Sequence, residues 1–181
     1  NMLNRVGARI SGLGWPTSTV DGVDRLHGVS ERILPDRLEA GTFAIAAVIT
    51  GGEVTLDDVR ADDMLPLTAK LREAGADIWI DCDRMLVRPG SGLRAVEIQT
   101  LPYPRFPTDL QAALAVLLTT AKGVSRIHER VFDDRLRYTD QLRAMGADIR
   151  VERFRPLDET GCPTSAPIRY GSHGEILGPT S

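Results

Sequence analysis

A carboxylate held at a fixed place can accept a hydrogen bond from an alcohol or take its proton. The run Tyr103-Pro104-Arg105-Phe106-Pro107-Thr108-Asp109-Leu110-Gln111 is suited to present one. Its prolines hold the approach extended, because a residue before proline is pushed out of the helical region. Thr108 and Gln111 then fit a T-x-x-Q capping box, which predicts an apolar helix from Leu110 to Ala121. Asp109 falls in its first turn, where the macrodipole and free N–H groups favour the ionised form. The same position is also an ordinary one for an aspartate that decorates a helix start and does no chemistry. Asp36 and Glu39 form a second box of this kind, D-x-x-E, ahead of an apolar helix from Leu38 to Ile49. His128 and Glu129 lie on a predicted strand and alternate faces, so no His–carboxylate dyad follows and His128 reads as structural. His27 and His173 support no argument, and Cys82 and Cys162 have no metal-ligand spacing and no disulfide framework.

The elements that must position these residues come from a repeat. Leu3-Asn4-Arg5-Val6-Gly7-Ala8-Arg9-Ile10, Leu71-Arg72-Glu73-Ala74-Gly75-Ala76-Asp77-Ile78 and Leu142-Arg143-Ala144-Met145-Gly146-Ala147-Asp148-Ile149 start 68 and then 71 residues apart. Each reads as a last helical turn, a glycine in the C-cap region and a strand that begins at once. The spacing is too long for a solenoid and predicts duplicated α/β subdomains. In the first, Gly51-Gly52 ends the buried helix and Glu53 to Val59 is a strand. Asp62 or Asp63 caps a second helix with Pro66 in its first turn and Met64, Leu67 and Leu71 on one face. Ala76 to Asp81 alternates as a half-buried strand, and Asp83-Arg84 turns into Met85-Leu86-Val87. The second copy repeats the order, with strands at Ala95 to Gln99, Val124 to Val131 and Ala147 to Val151, and Asp133 or Asp134 as the cap of its second helix. The predicted plan is strand–helix–strand–helix–strand–strand, used twice. Residues 1–33 read as the end of a preceding subdomain and a hinge, 34–93 as the first complete subdomain, and 94–181 as the second. Arg153 to Ser181 reads as a long loop around Cys162 with a short strand near Glu175-Ile176.

Composition narrows the function classes. With 181 residues and 42% hydrophobic content the chain can bury a core. A net charge of -3 gives no electrostatic case for nucleic acid or an anionic membrane. No apolar run approaches the roughly 20 residues that span a bilayer, and no signal-peptide pattern opens the chain, so a cytoplasmic setting is expected. The opening residues already read as the middle of a helix and the closing ones as a loop, so the sequence is expected to be a fragment.

With these motifs in place, the chain resembles the enolpyruvyl transferases, and within them the branch whose acceptor is UDP-N-acetylglucosamine. The resemblance rests on Leu34-Pro35-Asp36-Arg37-Leu38-Glu39-Ala40-Gly41-Thr42-Phe43, on Phe106-Pro107-Thr108-Asp109-Leu110-Gln111-Ala112, on Val131-Phe132-Asp133-Asp134-Arg135 and on the Gly-Ala-Asp turns. It covers Met2 to about Glu152. The implied fold is part of an inside-out α/β barrel of repeated βαβαββ subdomains, two lobes of three with a cleft between them. The implied reaction moves the enolpyruvyl group of phosphoenolpyruvate to the sugar 3-hydroxyl with loss of phosphate, the first committed step of peptidoglycan synthesis. By position, Asp109 matches the aspartate that contacts this hydroxyl, as base or as orienting group, and Val131 a residue whose main chain touches the sugar nucleotide. Arg135 matches an arginine facing the cleft, where a guanidinium could stabilise phosphate or a developing anion. Its alternative is a surface pair with Asp133 or Asp134. Thr108, Phe132, Asp36 and Glu39 complete the substrate-binding candidates, and for the last two capping alone is the competing reading.

The resemblance implies no cofactor and no metal. Its partners are the two small-molecule substrates, with no nucleic acid and no membrane, and the missing lobe would come from the rest of a longer chain. The family's reactive cysteine and its phosphoenolpyruvate-binding lysine and arginines belong to segments this sequence does not contain. Asp133-Asp134 stands where the family often has Glu-Asn, and Arg153 to Ser181 is longer than a usual connection. Two other readings follow: transfer of the same group to shikimate 3-phosphate, or a non-catalytic module that keeps the fold. The chain alone is expected to be inactive.

Overall fold

A computed structural model describes residues 2–153 and 172–179; Cys162 and most of the expected terminal loop lie outside the described residues. The chain divides into two compact units, residues 1–34 and 35–181. In the first, a short helix α1 (Met2–Arg5) leads into the antiparallel hairpin of β1 (Arg9–Ser11) and β2 (Thr19–Asp21). Asn4 closes this turn by exchanging two side-chain hydrogen bonds with the backbone of Ile10.

The second unit holds the predicted duplication. Its first copy contains α2 (Arg37–Thr50), β3 (Val54–Asp57), α3 (Ala61–Glu73), β4 (Asp77–Ile80) and β5 (Arg84–Arg88), with an antiparallel sheet in the order β3-β5-β4. Its second contains β6 (Glu97–Gln99), α4 (Gln111–Leu118), β7 (Val124–Glu129), α5 (Thr139–Ala144), β8 (Asp148–Arg153) and β9 (Ser172–Leu177), in the order β6-β7-β9-β8. In both, the last strand inserts between the two before it. Gly7, Gly75 and Gly146 end the three repeated helices at φ of 101°, 107° and 100°. That left-handed value costs a residue with a Cβ and is free to glycine, so the sequence repeat is a backbone repeat.

The core lies between the sheets. Helices α2 and α4 pack on each other, and each also covers its own sheet, α2 on β3 and β5 and α4 on β7. Ala44, Ile45 and Val48 of α2 and Leu114, Leu117 and Leu118 of α4 are buried. Gly41 permits the approach, since a Cβ there would stand 2.5 Å from Leu110 Cδ1. The sheets turn their other faces outward, where Asp77 and Trp79 of β4 are exposed. Helices inside and sheets outside is the expected inside-out arrangement, in part.

Several local expectations change. The first copy has no leading strand: residues 22–36 form no regular element, and Ile33 and Leu34 stay exposed, so no buried alternation pins a strand there. Helix α2 is not buried on every side, because the apolar Phe43 is exposed. Helix α3 starts at Ala61 with Arg60 before it, so Asp62 and Asp63 lie inside its first turn and do not cap it. Pro66 consequently falls in the second turn, where its missing N–H faces the Asp62 carbonyl. Neither Asp133 nor Asp134 caps a long helix. Asp134, at φ 55°, precedes a 3-10 turn over Arg135–Tyr138, and α5 follows it.

Candidate functional site

The segment from Pro107 to Gln111 is a 3-10 turn, Thr108–Leu110, followed by α4. The predicted capping box is not made. Thr108 is buried and its hydroxyl donates to Glu129 Oε2 at 2.7 Å, and Gln111 Nε2 donates to the same oxygen at 3.3 Å. A buried carboxylate only accepts and must be satisfied by donors, so the Thr108 hydroxyl and the Gln111 amide N–H turn to it and away from the helix-end N–H groups that a capping box would have them accept. Asp109, between them, is turned the other way. Its side chain is 53% exposed, and Arg135 Nη2 donates to its Oδ1 at 2.7 Å.

Arg135 comes from the opposite side of the site, in the 3-10 turn after β7. Its guanidinium lies 5.0 Å from the centre of the Phe132 ring, close enough for a cation–π contact that fixes its plane. Arg135 reaches Asp109, and Asp134 pairs with Arg137 at 3.6 Å. Two residues 26 apart in sequence thus form one charged pair on an open face.

Glu129 was not among the expected site residues, and it connects the others. It is 0% exposed. While Oε2 holds Thr108 and Gln111, Oε1 accepts the backbone N–H of Val131 at 2.8 Å and of Phe132 at 3.1 Å. The sequence carried a signal for this: Ser125, Ile127 and Glu129 alternate as the buried face of β7. The Val131 N–H is therefore committed within the protein. His128, on the other face, pairs at 3.0 Å with Glu97 of the neighbouring strand. The Tyr138 hydroxyl and Gln111 Oε1 are buried without a hydrogen-bond partner among the described residues. Burial, with the Glu129 charge second, pushes the Tyr138 phenol well above its ordinary range.

Asp36 sits apart from the pair. Its Oδ1 caps α2 by accepting from the N–H of Leu38 at 2.7 Å and, more weakly, of Glu39 at 3.4 Å. No hydrogen bond or ion pair among the described residues joins Asp36 or Glu39 to Asp109 or Arg135. Beside the site, a cavity of about 410 Å³ is lined by Asp134, Leu136, Arg137, Thr139, Asp140 and Arg143, and neither Asp109 nor Arg135 faces it. Among the described residues no cluster of His, Cys, Asp and Glu could hold a metal ion, and no helix is long and apolar enough to cross a membrane.

Comparison with known proteins bears on the family and the fold. The profile of EPSP synthase (3-phosphoshikimate 1-carboxyvinyltransferase) matches residues 1–167. A protein named UDP-N-acetylglucosamine 1-carboxyvinyltransferase 2 from Carboxydothermus hydrogenoformans is 48% identical over 154 residues, 84% of this chain and 37% of that protein. UDP-N-acetylglucosamine 1-carboxyvinyltransferase from Halothermothrix orenii is 42% identical over 177 residues, 95% of this chain and 43% of that one. The chain thus spans well under half the length of these relatives. Among solved structures, the enolpyruvyl transferase NikO from Streptomyces tendae superposes with a TM-score of 0.73 at 24% identity, covering 97% of this chain and 38% of the other. EPSP synthase from Acinetobacter baumannii gives 0.64 at 19%, covering 99% and 39%. Both likenesses are of fold. A profile match over most of the chain, relatives above 40% identity and the same inside-out layering together place this chain in the EPSP synthase family of enolpyruvyl transferases.

Proposed function

We propose that the chain is part of one lobe of a UDP-N-acetylglucosamine 1-carboxyvinyltransferase and supplies one wall of its cleft. The observation that carries this is the Asp109–Arg135 pair, an accessible carboxylate and guanidinium 2.7 Å apart on a braced turn. In the reaction, a C–O bond forms between the sugar 3-hydroxyl and the enolpyruvyl group, the bond from that group to phosphate breaks, and the hydroxyl proton leaves. Asp109 orients the hydroxyl or takes its proton. Arg135 faces the anionic charge that moves to phosphate. Val131 and Phe132 lie alongside as sugar-nucleotide contacts, Thr108 braces the turn from within, and Asp36 and Glu39 begin the lobe after the hinge. In this reading residues 34–93 and 94–181 are two subdomains, residues 1–33 end another, and the rest of a longer cytoplasmic chain supplies the other lobe.

The family profile is that of the shikimate enzyme, so shikimate 3-phosphate is the second acceptor to test. The assay is phosphate release from phosphoenolpyruvate by the full-length protein that carries this chain. Release that depends on UDP-N-acetylglucosamine is the expected result, and the 181-residue chain alone gives none. Release that depends on shikimate 3-phosphate moves the reading to the relative. Sugar-nucleotide binding without turnover makes the fold a non-catalytic module.

A further inference from the structure

We propose that Glu129 is the positioning residue of this site, holding the turn that carries Asp109 and the loop that carries Val131, Phe132 and Arg135 at one fixed separation. The inference rests on the functional reading above for its kinetic part. The carboxylate is fully buried at the end of β7, with one oxygen on each of the two segments. Oε2 takes the Thr108 hydroxyl and the Gln111 amide, one residue before Asp109 and two after it. Oε1 takes the N–H groups of Val131 and Phe132, which open the loop to Arg135. All four partners are donors, and an acceptor-only carboxylate satisfies them without rotation or proton rearrangement. A buried carboxylate with fewer partners would be costly, so this one is committed to its four bonds.

Why the site needs such a brace follows from its surface. Asp109 and Arg135 are both partly exposed, and an exposed ion pair does not fix two flexible side chains by itself. Catalysis by orientation loses roughly 100-fold for a displacement of about 1 Å. The brace must therefore lie underneath, where water cannot compete, and Glu129 is the group that bonds to both segments there. Glutamine keeps the shape of Glu129 but removes its charge and replaces one acceptor oxygen with a donor, so the two backbone N–H groups either face an NH2 or keep a weaker neutral acceptor while the Thr108 hydroxyl and the Gln111 amide turn to accept.

The test uses the full-length protein, with Glu129→Gln, Thr108→Val and, as a control for stability, Val87→Ala, a fully buried residue of β5 in the other sheet. Phosphate-release kinetics and amide hydrogen exchange at Val131 and Phe132 are measured on each, at a temperature where all are folded. Expected for Glu129→Gln is a fall in kcat/KM for the sugar nucleotide of roughly 10- to 100-fold with the KM for phosphoenolpyruvate unchanged. Exchange at the two amides rises roughly tenfold or more as their charge-assisted hydrogen bonds weaken or are lost. Thr108→Val, which removes one donor, shows the same pattern at smaller size, and Val87→Ala lowers the melting temperature without it. Unchanged kcat/KM in Glu129→Gln of an active enzyme overturns the proposal, and so does unchanged exchange. If Glu129→Gln does not fold, Thr108→Val decides alone by the same two readouts. If the wild-type protein shows no turnover with either acceptor, the functional reading fails and the exchange data still decide the role of Glu129.

Discussion

Replacing Asp109 by alanine separates a catalytic carboxylate from an ornamental salt bridge, because the structure sets very different sizes for the two. The Asp109–Arg135 contact is 2.7 Å with side chains 53% and 37% exposed. At that distance the attraction is about 1.5 kcal/mol at the dielectric of water. Side-chain ordering and salt reduce the net contribution to below about 1 kcal/mol. Asp109→Ala should therefore lower the melting temperature by less than about 4 °C. If Asp109 orients or deprotonates the acceptor hydroxyl, kcat should fall by roughly 100- to 1000-fold, equivalent to about 2.7–4 kcal/mol. The activity loss is several times what the ion pair contributes to folding, so the two cannot be confused. Phosphate release and thermal unfolding, measured on the same preparation of full-length protein, provide both numbers. Arg135→Ala should likewise spare the fold and impair turnover. Full kcat in Asp109→Ala would refute the reasoning, as would a loss that follows the melting temperature.

Two further predictions concern the fold around the site. Tyr138→Phe removes a buried hydroxyl that has no partner among the described residues, so it should leave stability unchanged or raise it by up to about 1 kcal/mol, read by urea unfolding. Because the folded phenol is held above its unfolded value of about 10, the wild type should lose stability as pH rises past about 10, by up to about 1.4 kcal/mol per pH unit from this group, and Tyr138→Phe should remove that slope. A Cβ on Gly90 would stand 1.6 Å from the Gly75 carbonyl oxygen, so Gly90→Ala must move backbone and should cost more than about 2 kcal/mol by the same measurement.

What could be read from the sequence is what is decided locally. Three Gly-Ala turns fixed the C-terminal ends of three helices, because only glycine holds a φ near 100° without strain. Alternation at Asp77 to Ile80 and helical spacing of Met64, Leu67 and Leu71 assigned faces, because burial follows the period of the backbone. Asp36 capped its helix as expected, its exposed carboxylate accepting from the N–H groups of Leu38 and Glu39. The capping reading of Thr108 and Gln111 failed for the opposite reason. The same motif stood beside a buried carboxylate 21 residues from Thr108, which draws both side chains inward as donors and away from the helix-end N–H groups.

The sequence by itself thus determined the repeated α/β units, the family and the two short segments that hold the candidate chemistry. The tertiary structure alone decided that Asp109 faces outward to Arg135 while its neighbours face inward to Glu129. Pairing across 26 residues of chain depends on how β7 packs against α4, and a side chain's choice between a cap, a partner and solvent is set by the strongest acceptor within reach. Spacing along the chain states which residues are present. Only packing states which of them meet.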